Sequence, residues 1–288
     1  MNMSFYALMI GPFEGFSFMR MALVACLALA LANGPIGFLL LTRRMALDGD
    51  VMSHAVMPGA ALGFVYAGHS LFALSIGGFV SGAVVTGLAG LLARGRSRRD
   101  DTGLVAFYLI TLALGVLLVA YFGSNADVMR VLFGTVLAID VRALLQIAAV
   151  SSLTVLLVAA FYRPLAVDSF DRAFLRMVGG SGMRPMLMIL VLLNLVVSFQ
   201  AFGTLLAVGP MLLPAAAARC WTQRPGATIA LASALGMVSC YAGLLASYHG
   251  NLPSGPGIVL AGGVIYGLSL MAVGLGRAAG TMMKGTTI

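Results

Sequence analysis

The sequence predicts an all-α fold, a polytopic bundle of about eight or nine transmembrane helices. Hydrophobic residues make up 61% of the 288 residues, charged residues make up 9%, and the mean hydropathy is +1.04. A soluble domain of this composition would expose large apolar patches and aggregate. Apolar stretches of about 18–25 residues recur along the whole chain, and they do not alternate in polarity as transmembrane β-strands do.

The chain is predicted to be a single transmembrane domain, residues 1–288. The segment 203–218 is short and contains Pro210 and Pro214, so the number of spans is left at eight or nine. A further apolar piece, 127–138, is too short to cross a bilayer, and we expect an interfacial or re-entrant helix there. The predicted spans are roughly 17–42, 51–67, 71–93, 103–122, 141–162, 185–201, 203–218, 226–248 and 257–276.

Most basic residues lie in short groups between the apolar runs, and this distribution predicts the orientation of the chain, with Arg20, Arg130 and Arg142 as exceptions. The net charge is +8, and every basic residue except Lys284 is an arginine. Cytoplasmic loops of membrane proteins carry an excess of Lys and Arg, so the arginine-rich connections are expected in the cytoplasm, with the N-terminus outside. This distribution argues against a nucleic-acid-binding groove. The basic groups lie at 43–44, 94–101, 163–184, 219–224 and 277–284.

The longest polar interruption, 163–184, predicts a short amphipathic helix. Phe170, Phe174 and Val178 repeat at a spacing of four, and Gly179 and Gly180 are typical of a helix end. Two interpretations stay open. The segment is either an ordinary interfacial helix or a docking surface for a cytosolic partner.

Residues 48–59, DGDVMSHAVMPG, carry the most unusual chemistry of the chain. Ionisable groups beside an apolar span are expensive and usually line a site or a path. Asp50 and His54 are four residues apart, so a helix places them on one face about one turn apart. A carboxylate and an imidazole can together bind zinc, manganese or iron(II). The alternative is that Asp48 or Asp50 only caps a helix and that His54 is merely interfacial.

Several classes of protein are excluded or disfavoured by what the sequence lacks. It contains no GxxxxGK[ST] motif, so the chain is not itself a Walker-type ATPase, and it contains no HExxH motif of zinc proteases. A transport protein, not an enzyme, with no permanently bound cofactor, is what the resemblance described next implies. An ion-coupled secondary metal transporter remains an alternative, although such carriers usually place carboxylates in several spans.

The residues of the 35–64 stretch resemble the first signature of the ABC-3 family, the permeases of bacterial zinc, manganese and iron ABC transporters. Gly49, Asp50, His54, Ala55 and Gly59 fit the pattern GDxxxHAxxxG, whereas Asp48 lies outside the clear match. Further segments resemble the family in the same order along the chain: 127–140, 170–184, 202–221 and 252–266.

The resemblance implies the fold of a type II ABC importer permease in the bacterial inner membrane, surrounded by lipid. It also implies three protein partners: a second copy of the chain, a cytosolic ATP-binding subunit and an extracytoplasmic metal-binding protein. Asp50 and His54 take the role of the metal ligands. The coupling segment, about 165–183, would bind the ATP-binding subunit through Phe170, Asp171, Phe174, Leu175, Val178, Gly179 and Gly180.

The transported metal is expected to be zinc, on general resemblance to the zinc-importing members, with manganese or iron(II) as the alternatives. A carboxylate and an imidazole do not choose between these ions. Two features depart from the family pattern. Thr135 follows Leu132, Phe133 and Gly134, and a double glycine lies in the coupling segment.

We expect metal uptake to weaken as the pH falls through the ordinary histidine range, around 6.5. The imidazole of His54 binds a cation only when it is neutral, so protons compete with the metal. Uptake into proteoliposomes should be measured about one pH unit below and above that value, with ATP hydrolysis at both pH values as the control. Equal uptake on both sides would contradict a ligand role for His54.

Overall fold

A computed structural model describes residues 9–68, 70–92, 102–122, 134, 136–170, 183–203 and 206–284. Within these ranges the chain is built from α-helices and one 3-10 turn, Val136–Ala138. The helices are α1 (Gly11–Gly15), α2 (Ser17–Thr42), α3 (Ala46–Ala67), α4 (Leu71–Leu92), α5 (Thr102–Phe122), α6 (Val141–Ala160), α7 (Tyr162–Phe170), α8 (Arg184–Phe202), α9 (Gly209–Trp221), α10 (Pro225–Gly250) and α11 (Ser254–Lys284).

The predicted spans correspond to helices in nearly every case, and the first one, 17–42, coincides with α2. Six helices in the described part of the chain are long and apolar enough to cross a membrane: α2, α4, α6, α8, α10 and α11. The described part of α5 that qualifies as apolar is shorter, Leu109–Phe122. The 22-residue helix α3 is not among the six, because its first half carries the polar DGDVMSH sequence.

Two boundaries differ from the prediction. The segment 203–218 is helical only from Gly209, where the 13-residue helix α9 begins. At about 1.5 Å per residue it is roughly 20 Å long, short of the roughly 30 Å hydrocarbon core. The predicted span 141–162 ends at Ala160, and a turn at Phe161 leads into the separate helix α7.

The predicted re-entrant helix 127–138 lies mostly outside the described residues. Its described end consists of Gly134 and the 3-10 turn. Gly134 has a positive φ of 72° and packs so closely against the backbone at Ala201 and Phe202 that a Cβ atom would not fit. Only glycine satisfies both conditions at this position.

Helix α2 lies at the centre of the bundle and packs against α6, α8, α9 and α10. Two glycines allow this close approach. A Cβ at Gly34 would meet Ser233 of α10, and a Cβ at Gly37 would meet Met211 and Ala215 of α9. Small residues have this function in membrane bundles, where backbone proximity and van der Waals contact replace the hydrophobic effect.

Several arginine-bearing connections meet at one end of the bundle. Arg43, at the C-terminal end of α2, contacts Asp168 of α7. Leu41, two residues before Arg43, packs against a cluster of alanines on α9 and α10. This contact brings the connection that carries Arg219 and Arg224 to the same end of the bundle. The cluster consists of Ala215, Ala218 and Ala232.

Helices α3 and α4 form a closely packed antiparallel pair. Gly59 and Gly77 face each other, and a Cβ on either one would collide with the backbone of the other. The hydroxyl of Ser81 on α4 donates a hydrogen bond to the carbonyl of Ala55 on α3, at 2.8 Å. Helix α4 therefore holds α3 through backbone contact at Gly59 and Gly77 and through the hydrogen bond of Ser81.

Replacing Gly59 with alanine should destabilise the protein by about 1–3 kcal/mol, because the added methyl group forces the two backbones apart. The matched control is Gly87→Ala, on the exposed part of α4, where nothing lies within 4 Å of the new Cβ. The thermal midpoint of the purified protein in detergent measures the effect. A midpoint for Gly59→Ala equal to that of the control would show that the contact is not tight.

Candidate functional site

Asp50 and His54 lie on the same face of α3, in its N-terminal half. Asp50 Oδ1 is 3.8 Å from His54 Nε2. This distance is too long for a direct hydrogen bond, so the two atoms border one space instead of saturating each other. Regular helical geometry produces this arrangement, since residues four apart are neighbours on the helix surface.

The two side chains differ sharply in exposure. His54 is 4% exposed, whereas the side chain of Asp50 is 50% exposed. The imidazole therefore lies within the packed helices, and the carboxylate opens toward the surface of the chain. A cation that approaches from outside the chain would meet the carboxylate first and the imidazole next.

Hydrogen bonds and close packing fix the backbone around the pair. The hydroxyl of Ser53 donates to the carbonyl of Asp50 at 2.8 Å, and the contact between Ser81 and Ala55 holds the next residue after His54. Both accepting carbonyls belong to α3, the helix that α4 contacts through Gly59 and Gly77. The carboxylate and the imidazole thus project from a well-supported stretch of backbone.

The capping alternative is wrong for both aspartates. The N-cap of α3 is Met45, and no side chain makes a capping hydrogen bond there. Asp48 instead lies in the first turn and pairs with Arg184 of α8, at 3.4 Å between Oδ2 and Nη2. Two residues from Asp50, it projects from a different face of the helix.

The pair supplies two ligands, whereas structural zinc sites have four and octahedral manganese sites have six. In the part of the chain that the structure describes, no group of three or more His, Cys, Asp or Glu side chains is placed to hold a metal ion. Of the other histidines, His69 is outside the described residues, and His249 lies beside the ring of Tyr248 at the end of α10.

The predicted coupling segment is only partly described. Phe170 is the last residue of α7, and Asp171, Phe174, Leu175, Val178, Gly179 and Gly180 lie outside the described residues. The structure does describe the first residues of the segment and Arg184, which follows it, and each of these two ends makes an ion pair. Sequence reasoning missed these pairs, Arg43 with Asp168 and Asp48 with Arg184, because their partners lie far apart along the chain.

Comparison with known proteins places the chain among transport permeases. The family model described as the ABC 3 transport family matches residues 15–273. The "Manganese transport system membrane protein MntC" of Listeria monocytogenes is 32% identical over 263 residues, which cover 89% of this chain and 91% of that protein. The "Manganese import system permease protein ScaB" of Streptococcus parasanguinis is 31% identical over 262 residues, covering 90% and 92%.

Solved structures share the fold. The chain matches "PsaBC from Streptococcus pneumoniae in complex with Fab" with a TM-score of 0.85 and 28% identity, covering 92% of this chain and 95% of that one. A second structure, "An inward-facing conformation of a putative metal-chelate type ABC transporter", matches with a TM-score of 0.64. At 16% identity, that match supports the fold alone.

These matches confirm the predicted all-α architecture of an ABC importer permease. The family consists of the transmembrane components of ABC transporters, in which a separate subunit hydrolyses ATP. With a family model that spans residues 15–273 and relatives above 30% identity over about nine-tenths of its length, the chain belongs to the ABC 3 transport family and is a multi-pass membrane permease.

Proposed function

We propose that the chain is the permease of an ATP-driven importer of manganese. The observation that carries the proposal is the Asp50–His54 pair, with Oδ1 and Nε2 3.8 Å apart, on a helix of a chain in this family. Carboxylate oxygen with imidazole nitrogen is a ligand set that divalent transition metals accept.

We propose manganese as the transported ion, in place of the zinc that the sequence alone suggested. The relatives in Listeria monocytogenes and Streptococcus parasanguinis are both named for manganese, and neither name mentions zinc. A half-exposed carboxylate suits manganese, which prefers oxygen ligands and retains water readily. The expectation of zinc rested on general resemblance, and the more specific similarity favours the manganese alternative.

We propose that two copies of the chain assemble around the path of the ion. Asp50 is half exposed at the surface of one copy, so the same pair from a second copy could complete the ligand set together with water. A cyclic pair of identical subunits is the commonest arrangement of protein oligomers. Two Asp–His pairs would supply four protein ligands from identical surfaces.

The transport cycle then follows from the chemistry of the site. An extracytoplasmic binding protein releases the cation, which exchanges water for the carboxylate of Asp50 and then the imidazole of His54. Binding must be favourable enough for entry and weak enough for release. ATP hydrolysis in the cytosolic subunits moves the coupling segments, about 165–183, and alternates the access to the site between the two sides of the membrane.

Removal of either ligand should abolish most of the transport. Asp50→Ala and His54→Ala are each expected to lower manganese uptake at least about tenfold in proteoliposomes that contain the complete transporter. The controls are Glu14→Gln and His249→Ala, which change an exposed carboxylate and an exposed histidine on other helices. If Asp50→Ala or His54→Ala imports manganese as well as its control variant does, the replaced residue does not bind the ion during transport.

The choice of metal is tested by direct competition. Radioactive manganese uptake by the wild-type transporter should be displaced by unlabelled manganese at lower concentration than by zinc or iron(II). The same vesicles without ATP serve as the background. A secondary carrier would be favoured instead if an ion gradient drives uptake without ATP and vanadate leaves that uptake unaffected. Preferential displacement by zinc would restore the original expectation.

A further inference from the structure

A buried ion pair connects the end of α2 to α7. Arg43 Nη1 lies 2.8 Å from Asp168 Oδ2, and the side chains are 0% and 3% exposed. The guanidinium also donates through Nη2 to the carbonyl of Leu165, at 3.2 Å. Arg43 thus holds two points of α7, the last described helix before residues 171–182.

A second ion pair connects the start of α8 to the start of α3. Arg184, the first residue of α8, pairs with Asp48, in the first turn of α3. This pair is more exposed, with Arg184 at 54% and Asp48 at 22%, so it contributes less. It is nevertheless located directly after the predicted coupling segment, whereas the first pair holds the first residues of that segment.

The beginning of the coupling segment and the residue that follows it are therefore attached to the same six-residue stretch, 43–48. Apolar contacts reinforce the two ion pairs. Met45 and Leu165 are buried in one core cluster, and Met183 packs against that cluster. The connection between α2 and α3, residues 43–48, is therefore the common anchor of both ends of the segment.

A short and rigid piece of backbone joins this anchor to Asp50 and His54. Arg44 has a φ of 55°, a left-handed conformation, and the N–H of Met45 donates to the carbonyl of Leu40 at 2.9 Å, which fixes the turn. Helix α3 starts at the next residue. Asp50 is two residues beyond Asp48, about 3 Å along the helix axis. A displacement of 43–48 carries the carboxylate with it.

We propose that Arg43 and Asp168, with Asp48 and Arg184 as a weaker second contact, are positioning residues that transmit the movement of the coupling segment to Asp50 and His54. This inference rests on the proposed function. It assigns the link between the ATP-binding subunit and the metal site to two specific ion pairs, one at the end of α2 and one in the first turn of α3.

A purely structural role would not require charges at this position. A buried ion pair must overcome the cost of desolvating both groups, and apolar residues of similar volume often give equal or greater stability. What the charges add is a specific and directional connection between two elements. One of these connections reaches the first turn of α3 through Asp48, and the other holds Arg43, three residues before α3 begins, which is the arrangement that transmission needs.

The test measures the number of ATP molecules hydrolysed per manganese ion imported, in proteoliposomes with the complete transporter. Asp168→Asn should lower uptake about tenfold while ATP hydrolysis stays within about twofold of wild type, so the ratio rises. If the unpaired arginine prevents folding, the double variant Arg43→Met/Asp168→Leu removes both charges, and we expect it to fold and to show the same raised ratio.

The matched control is Asn194→Leu, which removes an equally buried polar contact, the 2.7 Å hydrogen bond to Thr154 between α8 and α6. It should reduce the yield of folded protein without changing the ratio. The proposal is overturned if the ratio stays at the wild-type value in the folded variants, if Asn194→Leu raises it equally, or if neither variant of the ion pair folds. Failure of the wild-type transporter to import manganese would instead overturn the proposed function.

Discussion

A charged side chain that leaves water must find a partner, and this constraint determines the arrangement at the start of α3. The chain has few charged residues, and the structure places four of them, Arg43, Asp48, Asp168 and Arg184, in two ion pairs around one helix end. Asp50, on the same helix, faces His54 across 3.8 Å and is half exposed. The polar chemistry of the region is thus divided between ion pairs that join helices and the pair that we propose as metal ligands.

The division depends on the angular positions of three residues on one helix. Asp48 and Asp50 are separated by two residues, so their carboxylates project from different faces of α3. One contacts Arg184 and the other shares its face with the imidazole. Two chemically identical side chains therefore acquire different surroundings because of helical periodicity alone, and the arginine of α8 is kept away from the carboxylate that we propose as the metal ligand.

Local features of the fold were predictable from the sequence, whereas contacts between distant segments were not. The span 17–42 and the shared face of Asp50 and His54 depend only on hydropathy and on the helical repeat, which a single sequence contains. The partner of Asp48 is 136 residues away, and no periodicity identifies it. The boundaries of α9 also escaped prediction, because Pro210 lies at the start of the helix and Pro214, which was expected to interrupt the segment, lies inside it.

The close crossing of α3 and α4 has a consequence for biosynthesis. Helix α3 carries two carboxylates and a histidine and is less apolar than the helices that qualify as independent spans. Charged residues make partition into lipid unfavourable for a single segment. Helix α4 is strongly apolar and is separated from α3 by only a few residues. The two helices can pair as a hairpin, because Gly59 of α3 and Gly77 of α4 allow their backbones to touch. The translocon would accordingly receive the two segments as one insertion unit, in which α4 covers the face of α3 that carries Ala55 and Gly59.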